Sequence, residues 1–127
     1  MKRIISAGDA VSVVKEQISH NYQEEVFLLC LNGRNDVKSV NLVGLGSDSS
    51  VTFPVKAIAR IAILDVARSV IIAHTHPNND SRPSAADIKE TERLRSALAL
   101  FDISLMDHII ISTTDYYSFA DESKTEL

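Results

Sequence analysis

Three segments of this chain are rich in apolar, strand-forming residues, and they limit the fold more than any other feature. They are "VFLLCL" (26–31), "SVIIAHTH" (69–76) and "ISLMDHIIIS" (103–112). Each is short and rich in β-branched or bulky apolar residues, which suits strands. Side chains on a strand alternate between two faces, so an unbroken apolar strand needs cover on both. The run at 69–76 is expected to be central in its sheet.

The cover is legible in the intervening sequence. "SAGDAVSVVKEQISHN" opens as a helix, with Ser6 and Asp9 spaced as a capping box and Val11, Val14 and Ile18 on one face. "EEVFLLCLN" and "DVKSVNLVGLG" flank the turn signal "GRN" and predict a hairpin. "GSDSS" is a loop. Pro54 suits a first helical position, followed by a stripe of Val55, Ile58, Ile61, Ala62 and Val66. "PNNDSRP" must be a loop, and Ser84 starts a helix reaching about Phe101, with Leu94, Ala97, Leu98 and Phe101 on its apolar side. "YYSFAD" is a last strand, and residues 1–5 and 122–127 are expected to fray. The order α, β, β, α, β, α, β, β predicts one α/β (mixed α+β) domain over 1–127, a single mixed sheet flanked by helices.

Composition narrows the function classes. With 127 residues, 45% of them hydrophobic, the chain can bury a core without staples. Its one cysteine, Cys30, permits no internal disulfide and no cysteine-based zinc site, and reads as a small buried hydrophobe. The formal charge of −4, with cations scattered, does not support nucleic-acid binding. No stretch reads as a signal peptide or a membrane span, so a cytoplasmic location is expected.

The chemistry is concentrated in "AHTHPNNDSRPSAAD" (73–87). His74 and His76 are two apart on a strand and project to the same face. Asp87 follows the loop, in the first turn of the next helix, where it can return to the histidines. Two nitrogens, one carboxylate oxygen and a fourth position left to water form the pattern of a catalytic zinc site. The same residues have plainer uses: Ser84 and Asp87 also form a helix-capping pattern, which competes with service at a metal. His20 reads as exposed and inert, and Asp80 as a loop residue. No H-E-x-x-H is present, and a single cysteine excludes the P-C-x-x-C of nucleobase deaminases.

H-T-H-P, six residues, then S-A-A-D matches H-x-H-P-x(6)-S-x-x-D and resembles the JAMM motif of the JAB/MPN+ metalloproteases. "QEEVFLLCLNGRN", "SVIIAHTHP" and "LMDHIII" resemble the RadC branch of that superfamily, and the likeness runs from about Ile5 to Asp121. The resemblance implies a JAB/MPN-like (cytidine-deaminase-like) architecture and amide hydrolysis, at a peptide or protein substrate that it does not specify. It implies zinc on His74, His76 and Asp87, oxyanion stabilisation by Ser84, and a general-base glutamate on an early strand. Matching on Leu31-Asn32 and Arg34-Asn35 selects Glu24; matching on E-x-F selects Glu25. Neighbours on a strand face opposite ways, so only one of them can face the metal.

Asn78-Asn79 replace the Ser-Gly common in that branch, in a turn where asparagine tolerates a left-handed backbone. Asp107 and His108 match a further RadC feature. Asp107 is read either as an acceptor orienting a ligand imidazole or as half of a buried structural pair. Many RadC-family proteins carry a helix-hairpin-helix region that this chain lacks, which leaves a fragment and a stand-alone form both open. The alternative to an enzyme is a non-catalytic metal-binding or interaction module in a DNA-linked complex. An edge strand near the C-terminus offers a surface to a second copy, giving a homo-oligomer, or to a substrate strand.

Overall fold

The structure is a computed structural model, and it describes residues 2–18, 24–46, 52–77 and 80–127. His20, the loop "GSDSS" beyond Gly46, and Asn78-Asn79 lie outside the described residues. The elements are α1 (Ala7–Lys15), β1 (Glu24–Leu31), β2 (Val37–Gly46), α2 (Val55–Leu64), β3 (Ser69–Thr75), α3 (Ala85–Ala99), β4 (Ser104–Ile111), β5 (Asp115–Ser118) and β6 (Ser123–Glu126). The six strands form one sheet in the order β2-β1-β3-β4-β5-β6. Only β3 and β4 pair in parallel, with α3 as their crossover. The fold is thus mixed α+β, a single mixed sheet flanked by three helices.

The continuous apolar runs occupy the middle of the sheet, as expected. β1 and β3 are buried at every position. One face packs Val26, Leu28, Cys30, Val70 and Ile72 against Ile58 and Ala62 of α2 and Leu94 and Leu98 of α3. The other packs Phe27, Leu29, Ile71, Ala73 and Ile109 against Ala10, Val11 and Val14 of α1. The antiparallel register pairs Val26 with His74, so even-numbered residues of β1 and β3 share the α2/α3 face. Cys30 is buried on that face, and desolvation pushes its thiol pKa up.

Three expectations are corrected. The last residues are not frayed: β6 pairs with β5 from Ser118↔Ser123 to Asp115↔Glu126. All four of its side chains are exposed, so the segment gives no apolar signal, and the open edge of β5 supplies the hydrogen bonds. At the other end, Arg3 bridges Asp36, and Ile4 is buried with its N–H on the Asn35 carbonyl. Val66 does not continue the α2 stripe. Ala67 N–H reaches Ala62 O and Val66 N–H reaches Ile63 O, closing the helix with Val66 at φ 54° and largely exposed. Phe101 likewise leaves the α3 stripe, and Thr91 and Asp87 take buried places in it instead.

Candidate metal centre

The site forms where β3 ends and α3 begins. Ser84 is the N-cap of α3, and its Oγ accepts from Asp87 N–H at 3.0 Å. Asp87 returns the bond: its Oδ2 accepts from Ser84 N–H at 2.8 Å. Capping and site service turn out to be compatible, because a carboxylate has two oxygens. Oδ1 of Asp87 lies 3.6 Å from His74 Nε2. A hydroxyl likewise carries a donor beside its lone pairs, so capping leaves the Ser84 O–H available to donate.

His74 Nε2 and His76 Nε2 are 2.9 Å apart. One donor atom each from His74, His76 and Asp87 all lie within 4.8 Å of one another, the only such trio among the described residues. Two ligands about 2.0–2.1 Å from one tetrahedral ion stand roughly 3.3 Å apart. The observed separations of 2.9 and 3.6 Å bracket that figure. The Nδ1 of His76 donates to the carbonyl of Asp80 at 3.0 Å, because a carbonyl can only accept. The His76 Nε2 is the ring atom turned toward His74. Two imidazole nitrogens and a carboxylate oxygen fit a divalent transition metal. The carboxylate of Asp80 turns away to Arg82 and Lys124, so it is the backbone of this loop residue that serves the site.

Behind the donor atoms lies a dry wall. His74 and His108 are fully buried, and their rings meet through His74 Nδ1 and His108 Nε2 at 2.7 Å. His108 stacks on Phe119 with centroids 4.4 Å apart and the planes 8° from parallel, and Phe53 meets it edge-on at 5.2 Å. Phe53 is itself held by both backbone groups, its N–H on Glu90 Oε1 and its carbonyl on Arg93. Burial is the largest cause that lowers the His74 pKa well below the usual imidazole value, with His108 and His76 adding to it. The same effect pushes His108 down to about 3, with smaller contributions from His76 and Arg95. In both rings burial disfavours the charged form.

Asp107 does not orient a ligand. It pairs with Ile71 on the α1 face, whereas His108 pairs with Ile72 on the His74 face. Its carboxylate accepts from Ser118 Oγ, Ala120 N–H and His108 N–H, which ties the turn after β5 to β4. The structural alternative for Asp107 holds, and the residue whose ring meets that of His74 is His108. Thr91 was missed altogether. Its signal lay in the spacing: Asp87 and Thr91 precede Leu94 and Leu98 on one helical face.

The two candidate bases separate by face. Glu24, two residues before Val26, lies on the face of His74, level with the continuation of β3 into His76. Glu25 lies on the α1 face, and its N–H donates to Thr75 Oγ1 at 2.9 Å. Both carboxylate residues are buried.

Comparison with known proteins agrees with this reading of the chain. The family model described as "RadC-like JAB domain" matches residues 4–124. A "UPF0758 protein" of Chlorobium chlorochromatii is 35% identical over 119 residues, covering 94% of this chain and 54% of that protein. Similar proteins of the same name occur in Flavobacterium johnsoniae (32% over 122 residues, 96% of this chain and 53% of the relative) and Streptococcus gordonii (30% over 122 residues, 96% and 54%). The chain spans about half the length of these curated relatives. Among the described residues no helix is long and apolar enough to cross a membrane. On the match over 4–124, with its histidine pair and aspartate drawn together at the end of β3, the chain belongs to the RadC-like JAB domain family.

Proposed function

We propose that the domain is a zinc-dependent hydrolase of amide bonds acting on a peptide or protein substrate. His74, His76 and Asp87 hold the ion in this reading. The observation that carries it is the convergence of the two Nε2 atoms and Asp87 Oδ1 at one point beside a buried wall. Two nitrogens 2.9 Å apart, backed by a buried carboxylate, are best satisfied by a cation between them.

A divalent ion there supplies Lewis acidity, polarising a carbonyl and making water an effective nucleophile near neutral pH. Glu24 takes a proton from the attacking water and returns it to the departing amine, acting as base and then as acid. Its place on the His74 face supports this assignment over Glu25. The Ser84 O–H donates to the oxyanion as it forms, while its lone pair keeps the cap of α3. The wall of Phe53, His108 and Phe119 keeps water from the back of His74.

The test begins with metal content of chain purified without chelator, beside Asp87→Ala and His76→Ala. Near one zinc per wild-type chain and almost none in either variant is expected, and would justify a screen of peptide and isopeptide substrates. A wild-type chain that holds no zinc even after zinc is added would overturn the reading.

A further inference from the structure

Behind His74 the hydrogen bonds run in one direction, and counting hydrogens gives that direction. Thr91 has one hydroxyl hydrogen, and the Asp87 carbonyl at 2.6 Å can only accept it. Thr91 Oγ1 must then accept from His108 Nδ1, also at 2.6 Å. A neutral imidazole carries one hydrogen, so His108 Nε2 is an acceptor. It takes the hydrogen of His74 Nδ1 across 2.7 Å. That leaves the Nε2 of His74 as a lone pair, facing His76 and Asp87. The chain closes on itself: it starts at the carbonyl of Asp87 and ends beside the carboxylate of the same residue. The count is made for neutral rings, the form that full burial of both favours.

The geometry points to Thr91 and His108 as positioning residues that decide which nitrogen of His74 carries its hydrogen, and so present the Nε2 lone pair to the metal site. The stacked Phe119 and edge-on Phe53 hold the His108 ring in the plane this needs. The effect on metal affinity rests on the function proposed above; the tautomer does not. Without the Thr91 hydroxyl, His108 is free to carry its hydrogen on Nε2. It then donates into His74 Nδ1, moves the His74 hydrogen to Nε2, and blocks the ligand atom.

The test combines histidine 15N NMR of metal-free protein with zinc affinity measured by chelator competition. Wild type, Thr91→Val, Thr91→Ser and His108→Phe are compared, each checked for a wild-type-like unfolding transition. In wild type, His74 is expected as the Nδ1–H form. Thr91→Val should show a raised Nε2–H fraction at His74 and bind zinc about 10–100-fold more weakly. His108→Phe, which keeps the aromatic packing but no acceptor, should lose at least as much affinity. Thr91→Ser retains the oxygen and should restore both readouts. An Nε2–H His74 in wild type, or a Thr91→Val protein with unchanged tautomer, overturns the inference, as does a Thr91→Val zinc affinity equal to that of a wild type that binds zinc. If wild type takes up no zinc, the metal reading fails, and the NMR arm alone decides the relay: a tautomer shifted by Thr91→Val keeps it and an unshifted one removes it.

Discussion

The two faces of the sheet use the same strands for different ends. The α1 face joins Phe27, Leu29, Ile71, Ala73, Ile109 and Ile111 to α1 in one apolar cluster. The α2/α3 face is equally apolar at its centre, around Leu28, Ile72 and Leu98. At the end where β3 stops it changes character, and five polar residues are buried together: Glu24, His74, Asp87, Thr91 and His108. Buried polar groups cost stability unless they are paired, so this corner contributes less to holding the fold than an apolar corner of its size. The difference teaches a division of labour: cohesion comes from one face, and the candidate metal centre sits at the rim of the other. Because strands alternate, single residues such as Asp107 and His108 divide between the two roles.

That comparison can be broken by changes that affect both properties where only one is expected to move. The largest expected effect is on rate. Glu24→Gln should lower turnover by roughly 10²–10⁴ with zinc content unchanged, whereas Glu25→Gln on the other face should turn over as wild type does. Steady-state kinetics with zinc analysis decides this, and the reverse order would assign the base to Glu25. Next in size, Phe27→Ala should cost about 3–5 kcal/mol of stability by emptying a buried ring site on the α1 face. The folded fraction should still bind zinc as wild type does; a lost metal site would mean the faces are coupled.

Smaller effects sharpen the contrast. His108 is held at about 3 and His74 well below its usual value, against roughly 6.5 in an unfolded chain. Depressed folded-state values mean that the unfolded chain binds more protons as pH falls below about 6.5. Stability of the metal-free protein is therefore full above that pH and declines toward the folded-state values. Both histidines add to that decline in the same direction within the window. Urea unfolding of chelator-treated protein between pH 7 and 4.5 measures the slope, and His108→Phe should make it shallower. A slope unchanged by His108→Phe would show that the polar corner is not the source.

The smallest change lies away from both clusters. Val66 is a β-branched residue at φ 54°, exposed at the end of α2. Val66→Gly should relieve left-handed strain and raise stability by about 0.5–1 kcal/mol. Thermal unfolding would show it, with zinc affinity expected not to move.

Much of this protein was legible before any coordinates. The runs at 26–31 and 69–76 specify strands covered on both faces, the second of them central, because a strand apolar on both faces has no stable place outside a covered sheet. The spacing of His74, His76 and Asp87 is local, and local rules bring the three together: a period of two on the strand, then a return to the first turn of a capped helix. What residue order could not decide was register and facing. Whether Glu24 or Glu25 shares the face of His74 depends on pairing Val26 with His74 across strands far apart in sequence. Whether Asp107 or His108 reaches His74 depends on the irregular step between Val70 and Ile71 in the β3–β4 ladder. Even the tail of exposed residues at 123–126 becomes a strand only because β5 leaves an edge to pair with. Periodicity is written along the chain, but the phase between two strands is chosen by hydrogen bonding and packing between them, and only the tertiary structure decides it.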